Sequence, residues 1–391
     1  MALSAALAAA HAFAPYWLPT ALALLAAYYL LLAPRASLAR HQVTPSLAVV
    51  ITGCDSGFGE ALALRAAAAG FTVFAGCLTP QGVKRLRAAG EHLHAFSLDV
   101  TSERSIAEAV DEVIAPWLNS RRARNRALHA LVNNAGIGAS GLVDWAPLES
   151  FRRVMDVNYL GAVAVTKALL PLLMRASAAA AAARAPAPRV INVTSVAGLL
   201  AAPGLSAYCA SKYALEAFSD ALRREMAPWR LRVAIIEPSF LATPILANVK
   251  EKAQAQWEAL APATQRAWGG EYHAATLARG EGVVRGAEPP ALGVDALFQA
   301  LCHVHPAARY RAGTPGRTYL PLLAALPAKI SSVTCALICA ICLSISVMSW
   351  PYSIAFALCS SRPCKVEAVI IAFADSMSFA WLKISASLLP P

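Results

Sequence analysis

Between Leu47 and about Pro244 the chain repeats one pattern: a short run of apolar and β-branched residues, then an Ala/Leu-rich stretch of helical length. Leu47 to Thr52 (LAVVIT), Thr72 to Gly76, Leu93 to Leu98, Ala130 to Asn133, Arg189 to Thr194 and Arg232 to Glu237 read as strands. Glu60 to Ala69 and Ser102 to Leu118 are segments of helical length between them. Strands this apolar, each followed by a helix, must be covered on both faces. The alternation therefore predicts an α/β fold: a doubly wound parallel sheet with helices on both sides.

Composition narrows the function classes. The 391 residues are 58% hydrophobic and only 15% charged, against roughly 25% in an ordinary soluble domain, so a disordered chain is excluded. The formal net charge of +11 invites a nucleic-acid reading, but there is no zinc-finger spacing and no long basic arm, and no nucleic-acid partner is expected. The densest basic cluster, Arg121, Arg122, Arg124 and Arg126, reads as a solvated loop. Nine cysteines, an odd count over a long chain, predict free thiols. Cys339 and Cys342 lie in an uncharged apolar run without a nearby His, as packed or lipid-facing thiols do. No metal site is expected.

The flanks differ from the body. The first 34 residues hold no Lys, Arg, Asp or Glu, and Phe13 to Leu32 is almost wholly apolar, with Tyr16, Trp17, Tyr28 and Tyr29 at interfacial positions. About 20 such residues cross a hydrocarbon core of roughly 30 Å as a helix. No positive charge precedes the segment and Arg35 and Arg40 follow it, which favours an uncleaved anchor with the rest of the chain on the cytosolic side. At the other end Ile330 to Cys359 is uncharged and broken by Pro351, and Val366 to Leu382 is apolar apart from Glu367 and Asp375. Three segments result: an anchor over 1–42, an α/β domain with a helical segment over 43–328, and an apolar tail over 329–391 that is a candidate for membrane embedding. The alanine tract Ser177 to Pro188 and the basic Ser120 to Ala127 read as surface insertions between elements.

The first strand runs into Thr52-Gly53-Cys54-Asp55-Ser56-Gly57-Phe58-Gly59 and then a helix. Glycines there let the backbone approach a pyrophosphate, which the free N–H groups of the helix N-terminus then hold. Asp99 and Val100 after the third strand, and Asn134, Ala135 and Gly136 after the fourth, are placed to meet an adenosine. Tyr208-Cys209-Ala210-Ser211-Lys212 puts a phenol and an ammonium at i and i+4 on one helix face, with Ser195 thirteen residues earlier at a strand end. A free tyrosine, with a pKa of about 10, is a poor base near neutrality. A neighbouring ammonium favours its phenolate. Ser195 can hold a substrate oxygen, and Asn158 can complete a proton relay through water. Asn192-Val193-Thr194 matches a glycosylation triplet but falls inside a predicted buried strand.

In this order the motifs resemble the short-chain dehydrogenase/reductase family, over about half the chain. Ile51 to Gly59 (ITGCDSGFG), Phe71 to Thr79 (FTVFAGCLT) and Ala214 to Arg224 (ALEAFSDALRR) are similar to the branch that holds retinol dehydrogenases, 17β-hydroxysteroid dehydrogenases and 3-hydroxybutyrate dehydrogenase. Trp257 to Tyr272 and Ala308 to Gly313 (ARYRAG) resemble that branch's substrate-side helices and C-terminal segment.

The resemblance implies a Rossmann-type domain in which Tyr208 is the general acid/base, Lys212 tunes it and holds the nicotinamide ribose, Ser195 orients the reacting oxygen and Asn158 anchors the relay water. It implies a cofactor cradle of Gly53, Asp55, Ser56, Gly57, Phe58, Gly59, Asp99, Val100, Asn134, Ala135 and Gly136, with Tyr208, Lys212, Pro238 and Thr243 at the nicotinamide. The absence of Arg or Lys at Cys77, Leu78 and Thr79 favours NAD over NADP. Pro238-Ser239 replaces the family's usual Pro-Gly, which predicts either a cost in cofactor affinity or a small shift of the backbone, with activity retained. The expected substrate is a lipophilic alcohol or ketone, a steroid or retinoid, taken from membrane lipid, and the expected location is the endoplasmic reticulum membrane. A small hydroxy acid such as 3-hydroxybutyrate is the rival, and a cofactor-binding scaffold without turnover is the third reading. The family also commonly forms homodimers through helices flanking the site.

Overall fold

The computed structural model describes residues 39 to 120, 125 to 318 and 320 to 325. The expected anchor Phe13 to Leu32 and the apolar stretches Ile330 to Cys359 and Val366 to Leu382 lie outside the described residues. So do Cys339, Cys342 and positions 121 to 124 of the basic cluster.

Seven parallel strands form one sheet in the order β3-β2-β1-β4-β5-β6-β7. They are β1 (Leu47–Thr52), β2 (Thr72–Cys77), β3 (Leu93–Ser97), β4 (Ala127–Asn133), β5 (Arg189–Val193), β6 (Arg232–Pro238) and β7 (Arg309–Ala312). The order reverses direction between β1 and β4, and ligands of open α/β sheets bind at the carboxyl ends of the strands at such a switch point. Alternate residues of each strand serve opposite faces. Val49, Ile51, Val73 and Ala75 join one buried cluster with Leu62, Phe71, Leu297 and Leu301. Ala48, Val50, Phe74 and Leu131 join another with Leu169, Leu173, Val190 and Leu222. Both faces are dry, as the unbroken apolar runs require.

The helices are α1 (Gly57–Ala68), α2 (Pro80–Arg87), α3 (Glu103–Glu108), α4 (Leu148–Met155), α5 (Gly161–Ala182), α6 (Ser206–Glu225), α7 (Val249–Glu258), α8 (Pro262–Trp268), α9 (Gly270–Arg285) and α10 (Ala291–Cys302). A π-helical turn, Ala109–Ile114, continues α3 into Ala115–Leu118, and a second, Asp156–Leu160, joins α4 to α5. The alanine tract is not an insertion between elements. Alanine is the best helix former, so the tract lengthens α5 to Ala182, and Ser177 is buried with its hydroxyl donating to the Trp229 carbonyl at 2.6 Å. Only residues 183 to 188 connect to β5. Leu148–Ala182 is also the one described stretch of helix long and apolar enough to cross a membrane. Its Val165, Leu169 and Leu173 pack on the sheet, as a core helix does.

Two units divide the described residues. The sheet unit holds residues up to 249 and 286 to 324, and the other holds residues 250 to 285. Within the second, the Trp257 and His273 rings stack at 4.5 Å and Lys250 pairs with Glu281 at 2.7 Å, holding helices α7 and α9 together.

The amino-terminal end of the sheet carries an unusual device. Arg189, the first residue of β5, is fully buried without a carboxylate. Its Nη1 donates to the carbonyls of Ala300 (3.0 Å), Leu301 (3.0 Å) and His303 (2.7 Å), the C-terminal acceptors without helical partners at the negative dipole end of α10. Burial pushes its pKa down only to about 10, so it stays charged. The rings of His41 and His129 lie 4.5 Å apart beside it, each with Nε2 3.2 Å from the Leu301 carbonyl. Burial first, and the Arg189 charge with it, lower both imidazole pKa values. Such a group is neutral in the fold, whereas the unfolded chain protonates it below about pH 6.5. Stability contributed by these residues is therefore fully present above pH 6.5 and falls as the pH drops below it. We expect the midpoint of thermal unfolding to fall between pH 7 and 5, and the fall to shrink in His129→Gln. An unchanged pH slope in that variant would remove His129 from the account.

Candidate active site

The turn after β1 is shaped by positions where only glycine fits. Gly53 has φ +69°, and a Cβ there would lie 2.7 Å from the Ala135 backbone; a Cβ on Gly59 would lie 2.3 Å from the Gly53 carbonyl. Asn134 fixes this turn from the next strand: its Nδ2 donates to the carbonyls of Thr52 (2.9 Å) and Gly53 (3.0 Å). In return the Thr52 hydroxyl oxygen accepts from the N–H groups of Asn134 and Ala135. Thr52 is thus a structural member of the site that its sequence position alone does not announce.

Helix α1 starts at this turn without a side-chain cap on Ser56, and its first acidic residue is Glu60. Its first-turn N–H groups and positive dipole end therefore face the turn without a side-chain cap of their own. A glycine cradle and an uncapped helix start fit a pyrophosphate. The side chains of Phe58 and Val100 do something else. The Phe58 ring packs on Gly293 of α10, and Val100 packs on Gly161 at the start of α5, so each offers the cradle only its main chain. Asp99 spends one carboxylate oxygen on the N–H (2.9 Å) and hydroxyl (2.7 Å) of Thr101. Asp55 is turned to the end of β2, where its carboxylate accepts from the N–H groups of Leu78 and Thr79.

Ser195 follows β5 in extended conformation and caps a short 3-10 turn, Val196–Gly198, its Oγ accepting from Ala197 N–H at 3.1 Å. The Oγ also reaches 3.4 Å from the Pro238 carbonyl at the end of β6. Tyr208, Lys212 and Glu216 follow one another at four-residue spacing along α6, on one face. Lys212 is buried; its Nζ donates to the Val193 carbonyl at 2.9 Å and lies 5.6 Å from the centre of the Tyr208 ring. The helix thereby brings Tyr208, Lys212 and Ser195 to the carboxyl ends of β5 and β6.

The spacing predicts that Lys212 lowers the Tyr208 pKa. Among the chain's own groups burial dominates instead and pushes the phenol up to about 12, with its hydrogen bond to the Ser195 side chain opposing. Burial likewise lowers Lys212 to about 8, with the Glu216 charge opposing, so the lysine keeps most of its charge at neutral pH.

Asn158 lies within the second π turn and is buried. Its Oδ1 accepts from Ile137 N–H at 2.8 Å, while Nδ2 donates to the Ile137 carbonyl and to Ser211 Oγ, each at 3.0 Å. The carboxamide therefore pins the loop after β4 to α6. Asn133 and Asn192 extend this polar seam: Asn133 Nδ2 donates to Thr166 Oγ1 (2.9 Å) and Asn192 Oδ1 (2.8 Å), and Asn192 Nδ2 donates to Ser219 Oγ (2.7 Å). Asn192 is fully buried, in keeping with an unused glycosylation triplet.

Thr243 caps the short turn Pro244–Leu246 with its backbone only. Ser239 follows β6 opposite Gly313. Its Oγ lies where a Cβ on Gly313 would come within 2.0 Å, so glycine at 313, with φ +90°, makes room for the hydroxyl on the β7 side.

Beneath the site runs a network of charges. Arg309 on β7 pairs with Glu216 (3.0 Å) and Asp220 (2.8 Å) of α6 and with Glu237 (2.9 Å) of β6, and Arg311 pairs with the other Glu237 oxygen at 3.1 Å. The Glu237 side chain is wholly buried.

Residues 47–254 match the family model for the short chain dehydrogenases. The chain is 41% identical over 318 residues to retinol dehydrogenase 5 of Homo sapiens, covering 78% of this chain and 93% of that one. It is 37% identical over 276 residues to the mitochondrial D-beta-hydroxybutyrate dehydrogenase of Bos taurus, covering 68% and 76% respectively. To the human 17-beta-hydroxysteroid dehydrogenase type 6 it is 34% identical over 288 residues, covering 72% and 86%.

Proposed function

Since the chain belongs to the short-chain dehydrogenase family, we propose that it is an NAD-dependent oxidoreductase that interconverts a hydroxyl and a carbonyl on a lipophilic substrate, a steroid or retinoid. The convergence of Tyr208, Lys212 and Ser195 at the strand ends, opposite a glycine cradle built for a pyrophosphate, carries this reading. When bound, the nicotinamide supplies the hydride acceptor and, in its oxidised form, a second positive charge. Gly53, Gly57 and Gly59 would hold the pyrophosphate against the α1 N-terminus, with Asn134 bracing the turn. Ser195 Oγ donates to the substrate oxygen and orients it towards Tyr208.

Tyr208 Oη removes the hydroxyl proton during oxidation and returns it during reduction. With a phenol at about 12, the base form is scarce at neutral pH. Positive charge near the ring, from Lys212 and, when bound, from an oxidised nicotinamide, would bring it within range. Asn158 is a positioning residue here, because its carboxamide is spent on Ile137 and Ser211; a relay water falls to its main chain.

Two observations favour a lipophilic substrate over a hydroxy acid: the relatives named for retinol and 17β-hydroxysteroids, and the apolar stretch Phe13 to Leu32, which we read as an anchor in the endoplasmic reticulum membrane. Membrane fractions assayed for NAD reduction with estradiol, retinol and 3-hydroxybutyrate side by side test this. Turnover is expected on the first two. Turnover on hydroxybutyrate alone overturns the substrate class, and NAD binding without turnover on a broad panel supports a scaffold.

A further inference from the structure

We propose that Asp55 sets the choice between the two nicotinamide dinucleotides by occupying, with its own carboxylate, the place a 2′-phosphate would take. This rests on the dinucleotide reading above and goes a step further, from which residues hold the cofactor to which cofactor they refuse.

In dinucleotide folds the adenosine ribose is recognised at the end of the second strand, by an acidic residue that bonds its 2′-hydroxyl or by a base that accommodates a 2′-phosphate. Here β2 ends at Cys77 and α2 begins at Pro80, and neither kind of residue follows in sequence. Across space the position is filled. Asp55 Oδ2 accepts from Leu78 N–H at 2.7 Å, and Oδ1 accepts from Thr79 N–H at 2.9 Å and the Thr79 hydroxyl at 2.5 Å. Gly82, in the first turn of α2, makes room for it, since a Cβ there would lie 2.6 Å from Asp55 Oδ1.

The donors at a strand end and helix start that suit a phosphate are therefore already bonded to an internal anion. Pro80 has no N–H to add. The nearby base is spent as well: Arg85 Nε pairs with Glu60 at 2.6 Å, and its Nη2 donates to the Asp55 carbonyl at 2.5 Å. A 2′-phosphate meets a fixed negative charge that already holds the Leu78 and Thr79 donors. A 2′-hydroxyl meets an acceptor and can donate to it. Leu78, largely exposed at 63%, adds apolar surface beside the ribose position rather than charge.

The experiment measures binding of NAD and NADP to the full-length protein in detergent, without alcohol substrate, across a salt series. The proteins compared are the wild type, Asp55→Asn, Leu78→Arg and the double variant. The wild type is expected to bind NAD at least 100-fold more tightly, with the ratio shrinking as salt rises, because charge repulsion is screened and steric exclusion is not. Asp55→Asn is expected to lower the ratio at least tenfold. Leu78→Arg, which keeps the internal carboxylate, is expected to gain less for NADP alone than in the double variant. If Asp55→Asn weakens both dinucleotides equally and leaves the ratio where it was, Asp55 only braces the turn and the proposal fails. Should Asp55→Asn not fold, an unchanged ratio in Leu78→Arg together with a salt-independent wild-type ratio overturns it. Binding of neither dinucleotide by a folded wild type overturns the proposed function together with this one.

Discussion

Replacing Tyr208 with phenylalanine is expected to lower kcat/KM for the preferred alcohol by about 10²- to 10⁴-fold, the usual worth of a positioned acid/base group. Dinucleotide binding and thermal stability should change little, because the ring is retained and only the hydroxyl is lost. The pH dependence adds a second readout. The phenol is held up at about 12 by burial while Lys212 sits near 8, so oxidation by the wild type should climb with pH and level off as Lys212 begins to lose its proton. Direct measurement of kcat/KM against pH in both proteins checks this. Undiminished oxidation by Tyr208→Phe would falsify the acid/base assignment.

Arg309→Met is expected to destabilise the sheet unit by about 3 to 5 kcal/mol, as stripping one partner from buried ion pairs typically does. The loss is large against a usual total of about 5 to 15 kcal/mol. Arg309 serves three carboxylates at once, and one of them, Glu237, has a side chain with no exposure. In the variant Arg311 still meets Glu237, but Glu216 keeps only its bond to the Thr194 side chain. Burial already raises the Glu216 pKa, and loss of the guanidinium raises it further. A carboxyl whose folded pKa lies above its unfolded value stabilises the fold more as the pH falls through the folded value. The gap between variant and wild type should therefore narrow on mild acidification. Urea midpoints at pH 7.5 and 5.5 measure both effects. A midpoint shift worth less than about 0.5 kcal/mol at pH 7.5 would show that the network contributes nothing net.

Much of this architecture is legible from residues alone, because buried parallel strands announce themselves as unbroken apolar runs. Leu47–Thr52 is read to the residue, and the other five predicted strands are displaced by at most three residues at one end. The seventh strand, Arg309–Ala312, is not legible as one. It is four residues long and half of it is arginine, because its charges point at buried acids on elements more than 70 positions away. The π turn that carries Asn158 has no compositional mark either, since its residues suit an ordinary helix.

The proposed catalytic trio is legible because its spacing, i and i+4 on a helix and a serine at a strand end, is local chemistry. Roles that depend on distant partners are not. Asp55 reads as one more residue of a glycine-rich turn until its carboxylate is seen 23 and 24 positions along the chain, on Leu78 and Thr79. The room that Gly313 leaves for the Ser239 hydroxyl is likewise invisible in the sequence, 74 positions away. The alanine tract reads as filler, although alanine's own propensity carries the helix through half of it.

The carboxamides of Asn133 and Asn192 have a consequence for how the chain reaches this arrangement. They face each other across β4 and β5, in the register that pairs residue 133 with residue 192. Sliding one strand past the other by a single place would turn that strand's amide to the opposite face and part it from the other, at about 1 to 3 kcal/mol for each unmet group. Valine and isoleucine neighbours would tolerate such a slip far more readily, so these two asparagines penalise a misaligned pairing of the central strands.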